Sequence, residues 1–218
     1  MRYLLNPLHY DTTDPGSIPN LLFQHLTIVG ISMLISIVIA IPIGLFVARY
    51  RPAYTPVITG ASLLYTIPGI ALLAFLVPVT GLSLTTMIIP LVLYAQLVLI
   101  RNTVAGVNGI DPLLPEVGRA MGMKGQQLLL RVTLPLALPV IIAGIRVATV
   151  TSIGIATLAD LVGQGGLGDL VFTGIHNLNF DQVLAGGIVI ALLAIFLDVA
   201  LLVVQVALSR GRDAASVA

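Results

Sequence analysis

The sequence predicts an all-α membrane protein with five transmembrane helices, and three observations carry that prediction. The 218 residues are 58% hydrophobic and only 9% charged, with a mean hydropathy of +1.09. Too few charges remain to cover a water-soluble domain of this size. The apolar residues fall in five runs of about the length that crosses a hydrocarbon core of ~30 Å at ~1.5 Å per residue. These runs do not alternate and are about twice as long as the ~10-residue strands of a membrane barrel, so each must satisfy its own backbone as a helix.

Residues 1–20 are rich in turn formers (Asn6, Pro7, Asp11, Asp14, Pro15, Gly16, Pro19) and lack the basic start and short apolar run of a signal peptide. They read as a short exposed arm. The predicted spans follow at 26–48, 57–79, 84–100, 134–158 and 183–208, each bounded by charged residues, Gly or Pro. Neither an internal repeat nor a linker to a second domain interrupts them, which makes residues 1–218 a single transmembrane domain. With no cysteine, the chain has no disulfide, thiolate metal site or thiol chemistry. A net charge of +1 argues against nucleic acid as a partner.

Placement of the charges sets an orientation. Arg49, Arg51, Arg101, Arg119, Lys124, Arg131, Arg210 and Arg212 all fall on one side of the five spans. The other side carries Arg2 with Asp11, Asp14, Asp169 and Asp181. Lys and Arg concentrate on the cytoplasmic side, so the expectation is an external N-terminus and a cytoplasmic C-terminus.

The cytoplasmic segment 101–133 is more ordered than a connector needs to be. Asp111-Pro112 is a helix start, because Asp caps free N–H groups and Pro suits the first helical position. Leu113, Leu114, Val117, Ala120 and Met121 then recur at helical spacing, giving an amphipathic helix from about Pro112 to Lys124. By spacing alone it either rests on lipid headgroups or docks on a soluble partner.

Glu116-Val117-Gly118, Gly122 after three residues, and Val132-Thr133-Leu134-Pro135 after nine more resemble the cytoplasmic loop signature of bacterial ABC-importer permeases. Val117 and Gly118 stand where the signature has alanines, and Val132 where it has isoleucine. Thr66-Ile67-Pro68, Ala71 to Phe75, Arg101-Asn102-Thr103, Leu134 to Pro139, Ala143 to Arg146 and Gly163 to Gly168 are similar to the osmoprotectant branch, whose cargo is glycine betaine, choline, carnitine and related compounds. The resemblance implies the type I importer fold and a half-pore. It further implies a second permease (identical or related), two ATPase subunits and an external substrate-binding protein. Glu116, Gly118, Arg119, Gly122, Leu134 and Pro135 become the ATPase-coupling residues. A methionine-type amino-acid importer is the alternative in the same superfamily. An ion-gradient transporter would show inverted repeats or a relay of intramembrane acids, which are absent from the sequence. ATP and its Mg belong to another chain, because no G-x-x-x-x-G-K-[ST] pattern occurs here.

Gly163-Gln164-Gly165-Gly166-Leu167-Gly168 spells G-x-G-x-x-G, but it follows an apolar span and opens no strand–turn–helix unit. Gly163, Gly165, Gly166 and Gly168 fit a tight turn that meets the partner permease or the binding protein. Asp160 and Asp169 flank it, either solvated or receiving that protein. Arg146 and Asp198 sit within spans at matched depths, ~16–18 Å from the cytoplasmic ends. They form either a structural ion pair or a pair with one member on the translocation path. Tyr65, Pro68 and Tyr94 are the other path candidates, since tyrosine faces (and that of Phe75) attract a quaternary ammonium ion, although packing alone also explains aromatics in a span. His9, His25 and His176 lack the i, i+3 or i, i+4 spacing of helical metal ligands. No nucleophile motif is present.

Overall fold

A computed structural model describes residues 2–213, and residues 214–218 and the side chains of Arg2, Arg210 and Arg212 lie outside what it describes. The arm begins with the single turn α1 (Arg2–Leu5) and a 3-10 turn at Pro7–Tyr10. It folds back onto the start of the first long helix, where Asn20 Nδ2 donates to the Thr12 and Asp14 carbonyls.

That helix, α2 (Ile18–Arg49), starts eight residues before the predicted span, with Ser17 as its N-cap and Pro19 in its first turn. Polarity at Asn20, Gln24 and His25 delays the apolar run without breaking the helix. The second predicted span, 57–79, is not one helix. It is α3 (Tyr54–Thr66) and α4 (Gly69–Thr80), with axes bent by 89° about Ile67-Pro68. Pro68 has no N–H to continue α3, and its ring pushes Ile67 into an extended conformation (φ −70°, ψ 124°). The broken backbone is repaired from outside, the Tyr94 hydroxyl donating to the Ile67 carbonyl at 2.7 Å. Among the described residues four helical segments are long and apolar enough to cross a membrane, or five if the bent pair counts as one span.

The third long helix, α5 (Leu84–Asn108), runs two turns past the predicted end at residue 100. Arg101 ends the apolar run, but a charge does not end a helix; Gly109 does. α6 (Leu113–Ala120) and the single turn α7 (Gly125–Leu128) form the polar loop. Leu129–Thr133 is a π-helical turn into α8 (Leu134–Ala156), a widening that fits the missing donor of Pro135. A 3-10 turn at Thr157–Val162, the glycine turn and α9 (Gly168–His176) lead to α10 (Phe180–Asp213).

α5 is the centre of the fold, held between α2 and α8, and α10 packs on α8 and α9. Small residues permit the close approach. A Cβ on Gly44 of α2 would lie 2.5 Å from Thr103 Cβ, and one on Gly106 of α5 would lie 2.9 Å from the Ala137 carbonyl. Helices in lipid gain their attraction from this contact rather than from the hydrophobic effect.

Candidate functional site

The polar loop between α5 and α8 is built around two turns of helix that present apolar side chains outward. Asp111 Oδ1 accepts the Leu113 N–H at 2.9 Å, starting α6. Its end is a Schellman turn. Gly122 takes φ +83°, its N–H donates to the Arg119 carbonyl at 2.9 Å, and the Met123 N–H donates to the Gly118 carbonyl at 3.1 Å. The helix is therefore shorter than the predicted 112–124, because the left-handed Gly122 reverses the chain. Gly118 is the buried residue of α6, and a Cβ there would lie 2.7 Å from Leu128 Cδ1. α6 thus sits on Leu128 by its glycine and not by its leucines. Leu113 is 64% exposed and Met121 73%, with Leu114 and Val117 exposed between them. Glu116, Arg119 and Pro135 are also exposed, while Leu134 is half-buried at the start of α8.

The break in the second span gathers the aromatic candidates. Tyr65 and Tyr94 meet edge to face with ring centroids 5.8 Å apart. Tyr94 is buried and used structurally, on the Ile67 carbonyl, whereas Tyr65 is 41% exposed beside the exposed Thr66 and Pro68. Of the three path candidates, Tyr65 and Pro68 have free surface.

Between α8 and α10 the guanidinium of Arg146 grips Asp198 with two bonds, Nε to Oδ1 at 3.0 Å and Nη2 to Oδ2 at 2.9 Å. A third bond, absent from the sequence reading, runs from Nη1 to Gln205 Oε1 at 2.9 Å. Gln205 lies two turns beyond Asp198 on one face of α10, a spacing that could have flagged it. The pair is half-buried, and a bidentate, hydrogen-bonded arrangement is the one that offsets the cost of placing charge in a span.

On the opposite end, the glycine turn is packed onto its own chain. Gly163 (φ +70°) ends the 3-10 turn, its N–H donating to the Asp160 carbonyl. Gly166 (φ +80°) donates its N–H to Gln24 Oε1 at 2.9 Å, and Gly165 (φ +63°) lies against the same amide. A Cβ on Gly168 would run into the Thr157 carbonyl. Gly166, Leu167 and Gly168 are buried, leaving Gly163 and the half-buried Asp169 as the surface of the turn. Sequence reasoning missed Gln24 and placed His25 merely near the outer face. His25 is fully buried, with Nε2 3.1 Å from the Ile153 carbonyl. A carbonyl only accepts, so Nε2 carries the proton. The Thr157 N–H turns to Gly154 as the helix tightens, and the imidazole serves the carbonyl left behind. Polar residues entering an apolar helix need such partners, and that was the available signal. The arm closes over the same end. Burial raises the Tyr3 phenol above its usual range, and the nearby Asp169 and Asp14 carboxylates add to the rise. His9 stacks on the Tyr3 ring at 3.7 Å. Among the described residues, His, Cys, Asp and Glu form no group of three able to hold a metal.

The sequence matches the family described as binding-protein-dependent transport system inner membrane component over residues 40–213. The chain belongs to this family. This inner-membrane permease is 38% identical over 210 residues to the osmoprotectant import permease protein OsmW of Salmonella typhimurium, covering 94% of this chain and 98% of that protein. It is 41% identical over 179 residues to the carnitine transport permease protein OpuCB of Listeria monocytogenes, covering 82% of each. Its fold is similar to a chain of the inward-facing MetNI methionine ABC transporter, with TM-score 0.77 and 24% identity over 85% of this chain and 93% of that one. The permease is thus a multi-pass, all-α membrane protein of the ABC-importer type.

Proposed function

We propose that this permease is the translocating subunit of an ATP-driven importer for a quaternary ammonium osmoprotectant such as glycine betaine, choline or carnitine. The observation that carries the reading is α6: an apolar face of Leu113, Leu114, Val117 and Met121 stands exposed on a helix capped at both ends by its own chain. An ATPase groove is the partner that buries it, with Glu116 near the positive helix end and Arg119 one turn on. Relatives named for osmoprotectant, carnitine and choline transport support the cargo. The assembly would hold two permeases, two ATPase subunits that use ATP and Mg, and an external binding protein. The N-terminal arm then faces outward and the C-terminus the cytoplasm.

Mechanically, closure of the ATPases moves α6, and the π-turn and α8 carry that movement into the spans as a rigid-body shift. The Arg146–Asp198 clamp makes α8 and α10 move together. Tyr65 at the broken span offers a passing cation a single exposed aromatic face, a weak contact that leaves high affinity to the binding protein. Purification of the native complex should return the ATPase and binding protein with the permease. Uptake should be competed by glycine betaine, choline or carnitine. Competition by methionine alone would move the protein to the amino-acid branch.

A further inference from the structure

The cytoplasmic ends of α2 and α5 and the α6–α8 loop enclose a cleft of about 780 Å³, and Arg119 is the one residue of its lining that the coupling reading also uses. Its walls are largely apolar, with Leu45 and Phe46 from α2, Val107 from α5, Ile110 just beyond it, and Leu128 and Leu129 from the loop. Two cations reach it from different elements: Arg49, the last residue of α2, and Arg119 of α6. Both are exposed, and among the described residues neither guanidinium makes an ion pair or hydrogen bond. No Asp or Glu lines the cleft; Glu116, three residues before Arg119, does not reach it.

We propose that this cleft holds the headgroup of an anionic phospholipid of the inner leaflet. The position fits, because Arg49 directly follows the first apolar run and so lies at headgroup depth. Charge complementarity fits as well, since two unpaired guanidinium groups converge where nothing negative opposes them. A free phosphate would use the arginines and leave the apolar walls wet, whereas a lipid lays its glycerol and first acyl carbons along Phe46, which is itself exposed beside the mouth. Such a lipid would bridge a membrane-anchored helix and the ATPase-facing loop. The inference rests on the cytoplasmic placement of α6.

The test uses the intact importer, permease with ATPase, in nanodiscs of phosphatidylglycerol and phosphatidylcholine, followed by native mass spectrometry after release into detergent. Phosphatidylglycerol should be retained over phosphatidylcholine. Arg49→Gln should lower retention about fivefold and Arg49→Lys should keep it, as expected for a charge at the membrane surface. Equal retention of the two lipids, or no change in Arg49→Gln, would overturn the proposal. Displacement of phosphatidylglycerol by soluble glycerol 3-phosphate would also overturn it, by assigning the site to a free phosphoryl anion. The same spectra report ATPase association, so a failure of the importer reading is seen separately from a failure to retain lipid.

Discussion

Two glycine-marked turns cap the spans at opposite ends, and they use the same backbone device for opposite ends. At Gly118–Gly122 a Schellman turn closes α6 and leaves its apolar residues exposed. At Gly163–Gly168 a similar closure of the 3-10 turn leads into Gly166, Leu167 and Gly168, all buried, with Gly166 against α2 and Gly168 against the start of the 3-10 turn. One cap is complete within the chain; the other stops with its hydrophobic face open. A glycine pattern therefore reports close packing or reversal, and only the surroundings tell whether the partner is the same chain or another.

The comparison predicts a graded series of stability effects. Gly168→Val should be the most damaging, because its side chain must displace the Thr157 carbonyl; a loss of about 3 kcal/mol or more should appear as failure to accumulate in the membrane. Normal accumulation and melting would mean that the Gly163–Gly168 cap is looser than its burial implies. Arg146→Ala follows, leaving Asp198 in the span with its guanidinium removed, at a cost of about 2–3 kcal/mol reduced by partial exposure. The exchange Arg146→Asp with Asp198→Arg should recover part of that loss. Additive losses without recovery in a double-mutant cycle would show that the pair does not act as a unit. Gln24→Ala should cost about 1–2 kcal/mol by stranding the Gly166 N–H in a buried turn, and thermal melting of the purified permease reads it directly. No shift in melting would remove Gln24 as the latch of the Gly163–Gly168 cap.

Much of the membrane architecture was legible because hydropathy reports burial in lipid whatever the tertiary detail. The apolar runs, the start of α6 at Asp111, and the matched depths of Arg146 and Asp198 are all visible in the sequence. The break at Ile67-Pro68 was not, since hydropathy stays high across it and a proline in a span is often only a kink; the neighbouring Gly69 was the residue that hinted at more. Helix ends were misplaced where polarity changes within a helix, before Leu26 in α2 and after Ile100 in α5. The partners of Gln24, His25 and Gln205 were not legible for a common reason: each side chain satisfies a group far away in sequence, so its polarity within an apolar helix signals the need for a partner but not which one.

The smallest stability effect belongs to the open cap, and it is the most informative about function. Val117→Ser with Met121→Ser replaces two exposed side chains on α6 that touch nothing the fold needs. Melting should move by only about 1–2 °C, as for surface changes worth under ~0.5 kcal/mol. The ATPase groove would lose two apolar anchors, so association should weaken by tenfold or more and uptake should fall with it. Gly122→Val, which strains the left-handed turn without touching a neighbour, should also weaken ATPase association, but with a melting loss of about 1–2 kcal/mol from the backbone strain itself. Wild-type ATPase association in the Val117, Met121 variant would sink the docking assignment for α6. A melting loss in that variant as large as that of Gln24→Ala would show instead that the face is packed within the permease, and the contrast between the two caps would disappear.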